Sequence, residues 1–117
     1  PNTNLNHVFL TVSRRTEADA IATCTDLDHP PLREPVDQLE INSVTFTRAH
    51  QLDQDIGGKR AHVFVHRTVH DNACWGITFI IDYSDRLFFD QPITEFDYDG
   101  ILIHLRGVLA TFEFVES

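Results

Sequence analysis

The amino-acid sequence predicts an α+β fold that is mainly an antiparallel β-sheet, in the form of a roll or small barrel, with one short N-terminal helix. Segments rich in Val, Ile, Phe and Thr recur along the chain between short polar turns. One segment near the N-terminus has helix-start chemistry. The length of 117 residues is typical of one domain, which we expect to span 1–117, and the hydrophobic fraction of 42% is enough for a folded core.

The first predicted strand is His7–Ser13, which is rich in β-branched and aromatic residues. Thr16 is a suitable N-cap for the short helix, whose first turn is acidic and which we expect to end near Leu27. Asp28–Asp37 contains three prolines, so an extended loop is predicted there.

The next predicted strand is Leu39–Ala49. Its apolar residues occupy odd positions before Asn42-Ser43 and even positions after it. A β-bulge near Asn42-Ser43 would place both sets on one face. Gln51–Lys59 is polar and contains two glycines, which indicates a loop.

The longest β-rich stretch, Arg60–Tyr83, is predicted to be a central hairpin with Asp71-Asn72 in its turn. Two registers are open, because the length of the turn decides which residues share a face. A two-residue turn mixes histidines into the most apolar row. A three-residue turn, Asp71-Asn72-Ala73, separates histidines from apolar residues better, and we predict this register.

The predicted register gives each face of the hairpin one unusual feature. The first face is apolar except for Arg67, which shares it with Trp75 and Tyr83. The second face is rich in histidine and places His62 directly opposite Asp82.

The segments after the hairpin, Leu87–Asp90 and Ile93–Tyr98, are predicted to be short and extended. Gly100–Val115 has apolar residues at odd positions before Gly107 and at even positions after it. We predict strands here, with either a hairpin turn at Arg106-Gly107 or a bulge at the glycine. A helix is the alternative, because a 3.6-residue period is fitted by Ile101, Leu105, Val108, Leu109 and Phe112.

Charge and cysteine content limit the partners and the location of the protein. Eighteen acidic and nine basic residues give a net charge of −9, which repels phosphate backbones, so nucleic acid is not an expected partner. A membrane partner is not expected either, because no apolar run reaches the roughly 20 residues that span a bilayer. We expect Cys24 and Cys74 to be reduced thiols in a cytoplasmic protein, with a secreted or periplasmic location left open.

Two candidate sites follow from the two predicted faces. His62 and Asp82 form a candidate catalytic acid–base pair, because a carboxylate orients an imidazole and raises its pKa toward neutrality. On the other face, an arginine among aromatic rings can hold a small anion such as a carboxylate or phosphate. The candidate ligand-binding residues are Arg67, Trp75, Tyr83 and His66.

No metal or other cofactor is predicted. His62, His66 and His70 occupy every fourth position of one strand, so neighbouring members lie about 13 Å apart. That spacing is too long for one ion, since zinc–ligand bonds are only about 2 Å.

The composition and faces favour a non-catalytic binding or interaction module, such as an inhibitor, an immunity-type protein or an assembly subunit. We expect a protein partner or a homo-oligomer, with docking through a sheet face or edge. The alternative is a roll or barrel that binds a small molecule, with enzymatic activity left open, in which Arg67 is the anion anchor and His62 and Asp82 are the acid–base pair.

Overall fold

The computed structural model describes residues 3–27, 35–54, 57–86, 89 and 93–114. These residues form five strands and two helices. In chain order they are β1 (Leu5–Arg15), α1 (Ala18–Ala22), β2 (Asp37–Ile41), β3 (Val44–Gln54), β4 (Lys59–His70), β5 (Ala73–Ser84) and α2 (Tyr98–Leu109).

The five strands form one antiparallel sheet in the order β1-β5-β4-β3-β2. This architecture confirms the predicted α+β class. The two end strands, β1 and β2, are not paired with each other in the described residues, so the sheet is open rather than closed into a barrel. The predicted N-terminal strand and helix are both present, although α1 ends at Ala22 and its N-cap is Glu17 rather than Thr16.

The central hairpin uses the two-residue turn. Asp71 and Asn72 both have positive φ, 52° and 58°, a conformation that the type I′ turn requires and that Asp and Asn tolerate better than most residues. The predicted three-residue register is therefore wrong. His62 lies opposite Ile81, and Asp82 lies opposite Ala61. The favourable geometry of this turn sets the register, even though it places histidines among apolar residues on one face.

A second two-residue turn replaces the predicted β-bulge. Asn42 and Ser43 have φ of 48° and 69° and connect β2 to β3, with Ile41 directly opposite Val44. Residues directly opposite each other share a face, so the hairpin resolves the change of parity that the bulge was meant to explain.

The predicted C-terminal strands are also wrong, because the helical alternative is the observed one. Asp97 caps α2, since its side chain accepts a hydrogen bond from the backbone N–H of Gly100 at 3.1 Å. Leu102, Leu105 and Leu109 are buried at helical spacing. Gly107, which had indicated a turn or bulge, is exposed on the helix.

The hydrophobic core lies between α2 and one face of the sheet. We call this the covered face, and the opposite one the open face. The core residues on the sheet side are Ile41, Phe46, Phe64, Ile77, Phe79 and Ile81. The segment before α2 is fixed by buried Asn4, whose side chain accepts from the N–H of Phe96 at 2.8 Å and donates to the carbonyl of Ser84 at 2.8 Å.

Parts of the sequence prediction fall on residues that the structure does not describe. Most of the predicted loop Asp28–Asp37 lies outside the described residues, as does most of the extended segment Leu87–Asp90. In Ile93–Tyr98, Thr94 forms an isolated parallel bridge with Thr3. Among the described residues, neither helix has the length and apolar character needed to cross a membrane.

A disulfide joins the cysteines, which corrects the expectation of reduced thiols. Cys24 follows α1, and its Cα lies 5.6 Å from that of Cys74 in β5. The bond ties the short α1 region to the central hairpin across a sequence separation of 50 residues.

We expect reduction of the disulfide to lower the free energy of unfolding by about 4 kcal/mol, the chain-entropy value for a closed loop of this length. Urea unfolding of oxidised and reduced protein measures the difference, and the Cys24→Ala, Cys74→Ala double variant should match the reduced protein. Two reactive thiols in protein kept free of reductant would contradict the assignment.

Candidate functional site

The covered face carries a polar pocket of about 260 Å³ beneath α2. We call it the helix pocket. Its polar lining residues are Asp37, Arg48, His50, His66, Tyr98 and Arg106, and its apolar ones include Leu39, Phe64, Phe79, Leu102 and Leu109. The residues come from β2, β3, β4, β5 and α2, so the pocket exists only when both hairpins are in register and α2 is helical.

An ion pair between neighbouring strands lies at one side of the pocket. Asp37 and Arg48 are directly opposite each other on β2 and β3. Arg48 donates twice to the carboxylate, from Nε to Oδ1 at 2.9 Å and from Nη2 to Oδ2 at 2.6 Å. These hydrogen bonds lower the pKa of Asp37 below its usual value, and the positive charge of Arg48 adds to the effect. The two-bond fork holds the guanidinium of Arg48 in a fixed orientation.

His66 is the most enclosed titratable group in the pocket, with 2% of the residue exposed. Burial lowers its pKa, and the charge of Arg48 contributes in the same direction; the backbone hydrogen bond to Ile77 and the charge of Asp37 oppose this only in part. The imidazole is therefore neutral near pH 7. Its Nδ1–H donates to the carbonyl oxygen of Ile77 at 3.0 Å, which assigns the proton to Nδ1.

The other ring nitrogen of His66 is chemically important. With the proton on Nδ1, Nε2 carries a lone pair and acts as a hydrogen-bond acceptor. No described residue makes a hydrogen bond to it. His66 thus presents an acceptor, rather than a positive charge, to whatever occupies the pocket.

Two further histidines form a dyad among aromatic rings. His50 Nε2 and His62 Nδ1 are 2.9 Å apart, so one ring donates and the other accepts. His50 stacks on Phe64 with ring centroids 4.1 Å apart, and His62 packs against Tyr98 at 4.6 Å and Tyr83 at 5.5 Å. These contacts satisfy the rings within the core and hold His50 at the edge of the pocket.

The predicted acid–base pair is not formed. His62 is on the covered face, whereas Asp82 is on the open face, where its Oδ2 lies 3.6 Å from Nδ1 of His7. A carboxylate on the other side of a sheet cannot orient the imidazole of His62.

The predicted ligand-binding residues are also divided between the two faces. Arg67 lies opposite Gly76 on the open face, but Trp75 and Tyr83 are on the covered face. The Trp75 ring is contacted by Arg14, whose Cζ is 5.7 Å from the ring centroid. Of the residues named from the sequence, the helix pocket contains His66.

The charged residues of the pocket were not predicted from the sequence. Asp37 and Arg48 are neighbours only because the Asn42-Ser43 turn brings β2 beside β3. Arg106 joins the pocket from the last turn of α2. Two features of the sequence did indicate these positions. Asn42-Ser43 is a turn-forming pair, but it was predicted to be a β-bulge, and the C-terminal segment has a helical apolar period, but it was predicted to form strands.

The pocket offers charged groups, a hydrogen-bond acceptor and apolar surface to a ligand. The residues that line the pocket in the described part of the chain include no Ser, Thr or Cys that could act as a nucleophile. Within the described residues there is no group of three or more His, Cys, Asp or Glu side chains placed to hold a metal ion.

Comparison with known proteins gives no further guidance. A scan against protein-family models found no match, and searches of curated proteins and of solved structures found none either. The function must therefore be argued from the pocket and the surfaces.

The state of His66 leads to an expected pH dependence. The unfolded chain binds a proton near the ordinary histidine value of 6.5, whereas the native protein resists protonation until a lower pH. Stability should therefore be full above 6.5 and fall as the pH drops from 6.5 toward the native pKa. Urea unfolding at a series of pH values measures this, and His66→Asn, which keeps a donor for Ile77, should flatten the fall. His104→Asn controls for loss of an exposed histidine, so identical profiles for the two variants would contradict the assignment.

Proposed function

We propose that the protein is a non-catalytic binding protein for a small hydroxylated organic acid, held in the helix pocket. The observation that carries the proposal is the combination, in one partly enclosed pocket, of cationic Arg106 with the acceptor nitrogen of buried neutral His66. Arg106 can bind a carboxylate and His66 can accept a hydrogen bond from a hydroxyl, and a hydroxy acid carries both groups.

Arg106 is suited to the acid group. Its guanidinium forms no ion pair with a described residue, although the chain has a net charge of −9. It sits in the last turn of α2 at the edge of the pocket. Guanidinium groups bind carboxylates through two parallel hydrogen bonds, and the partly enclosed site strengthens the contact relative to open water.

His66 is suited to the hydroxyl group. Nε2 accepts but does not donate in the neutral tautomer, so it repels a carboxylate oxygen and attracts an O–H. A ligand that displaced water from this nitrogen without donating a hydrogen bond to it would bind less well, because the lost hydrogen bond would not be replaced. This difference is the source of the expected selectivity.

The volume and lining limit the size of the ligand. About 260 Å³ is slightly below the roughly 300–1,000 Å³ of typical small-molecule sites. Phe64, Phe79 and Leu102 offer apolar contact for a short carbon skeleton. A small acid therefore fits better than a cofactor or a drug-sized molecule.

The disulfide supports action in an oxidising compartment. Disulfides persist in secreted and periplasmic proteins and are rare in the cytosol. We therefore place the proposed binding activity in an exported protein, in contrast to the cytoplasmic location expected from the cysteine count.

Malate should raise the melting temperature more than succinate, and lactate more than propionate, because each first member adds the hydroxyl that His66 accepts. Arg106→Met should weaken binding about tenfold or more, as loss of a charged hydrogen-bonding partner usually does. Isothermal titration at constant ionic strength measures this.

The matched control is Arg86→Met, because Arg86 pairs with Glu95 at 2.9 Å and lies outside the pocket lining. Equal weakening by the two arginine variants, or no effect of any of the four acids, would rule out the pocket assignment.

A second candidate function is self-association through β1, which develops the expectation of a homo-oligomer. β1 is an edge strand of 11 residues without proline or lysine. Its protective features lie at its two ends, a register irregularity between Leu5 and His7 and the arginines at positions 14 and 15, so the middle of the strand is unprotected. Four of its apolar side chains are 40% to 51% exposed: Val8, Phe9, Leu10 and Val12. We propose a second copy of the chain as the occupant.

Antiparallel pairing about a two-fold axis at Leu10 fits this sequence. Val8 of each copy would then lie opposite Val12 of the other, and Arg14 opposite Asn6. The arginines of the two copies fall at opposite ends of the interface, so the pairing brings no like charges together. Apolar cross-strand pairs contribute to the stability of such an interface.

We expect the wild-type protein to show concentration-dependent dimerisation in sedimentation equilibrium. Leu10→Lys should abolish it, because the two ammonium groups would meet at the two-fold axis. Ile103→Lys is the control, since Ile103 is 68% exposed but lies on α2. A monomer at every concentration, or equal behaviour of the two variants, would refute the dimer.

A further inference from the structure

Arg67 lies on the open face with an unsatisfied donor. Its Nε is buried and has no hydrogen-bond partner. The rest of its guanidinium makes no hydrogen bond or ion pair with a described residue. The residue is half-buried, so the group is reachable from solvent but poorly hydrated. Because a buried unpaired donor costs free energy, the arrangement calls for a partner from outside.

A glycine leaves room for the guanidinium. Ser13, Gly76 and Arg67 are aligned across β1, β5 and β4. A Cβ at Gly76 would lie 2.8 Å from Nε of Arg67 and 2.8 Å from Oγ of Ser13. The arginine side chain therefore lies over the glycine, beside the serine hydroxyl. Any larger residue at this position would displace one of them.

A second arginine lies on the same face of the sheet, since Arg15 is opposite Cys74 of β5 and Arg67 is opposite Gly76. Arg15 is on the same face of β1 as Ser13, two residues further along. Burial lowers the pKa of Arg67, and the positive charge of Arg15 lowers it further. No carboxylate of a described residue offsets the repulsion between the two cations. Such a concentration of positive charge is unexpected in a chain with a net charge of −9.

We propose that Arg67, Arg15 and Ser13 form a binding site for a doubly charged oxyanion, a phosphate or sulfate group. The two guanidiniums supply forked donors and two positive charges, and the serine hydroxyl supplies a further donor. A dianion matches the two charges better than a single carboxylate does. The Nη donors of Arg67, which are not among the buried unpaired atoms, would hold the anion, and its negative charge would offset the repulsion between the two arginines.

The oxyanion site is independent of the helix pocket. Arg67 and the pocket are on opposite faces of the sheet, and Arg67, Arg15 and Ser13 are not among the described residues that line the pocket. The oxyanion proposal therefore does not depend on organic-acid binding in the helix pocket, and organic-acid binding does not depend on the oxyanion site.

Titration with inorganic phosphate at constant ionic strength, followed by calorimetry, tests the proposal. We expect saturable binding of phosphate and sulfate, with acetate at least about tenfold weaker because it carries one charge fewer. Arg67→Met and Arg15→Met should each weaken phosphate binding about tenfold or more. Arg86→Met is the control, because Arg86 pairs with Glu95 at 2.9 Å and belongs to neither proposed site, so this variant should bind phosphate like the wild type.

A stability measurement on Arg67→Met and one further variant, Gly76→Ala, separate binding from folding. Arg67→Met should be at least as stable as the wild type in phosphate-free buffer, because it removes a poorly hydrated, unpaired charge. Gly76→Ala keeps both arginines but closes the space beside Nε, so it should weaken phosphate binding as well. Wild-type phosphate affinity in Arg67→Met or Gly76→Ala, no saturable binding in the wild type, or acetate binding as tightly as phosphate would overturn the proposal.

Discussion

The two-residue turn at Asp71-Asn72 is the constraint on which the rest of the structure depends. Both residues adopt positive φ, and the turn fixes the pairing of β4 with β5. Side chains alternate between the faces of a sheet, so a slip of one residue would exchange every side chain of one strand. This turn thus places His62 and His66 under α2, and it places Arg67 over Gly76 on the opposite face.

The covered face shows how a sheet can bury histidine. His50 and His62 hydrogen-bond to each other among aromatic rings, and His66 donates to a backbone carbonyl. Buried polar groups are tolerated when they are hydrogen-bonded. The remaining acceptor of His66 and the side chain of Arg106 then give α2 and the sheet a polar pocket within an otherwise apolar layer.

The distribution of arginine distinguishes the two proposed sites from the rest of the described chain. Arg48, Arg60 and Arg86 each pair with a carboxylate, at 2.6, 2.8 and 2.9 Å. Within the described residues, Arg67 and Arg106 have no such partner. In an acidic protein carboxylates are plentiful, so half-buried Arg67 and pocket-lining Arg106 are the guanidinium groups that we propose to bind an anion from solution.

The sequence by itself determined the fold class and the presence of β1, α1 and the central β-rich stretch. These features depend on local composition and on short apolar periods. The C-terminal helix was visible as a 3.6-residue period but was outweighed by β-branched and aromatic residues. The segment is helical because Leu102, Leu105 and Leu109 pack against the sheet, and a local sequence pattern does not show that packing.

Only the tertiary structure decided which side chains meet. His62 and Asp82 were expected together and are separated by the sheet, whereas Asp37 and Arg48 are brought together by the β2–β3 turn. The disulfide, too, required α1 to lie beside β5. For the two strand pairs, the physical reason is that one residue of difference in a turn changes the face on which a side chain lies. For the disulfide, the reason is packing between segments that are distant in the sequence.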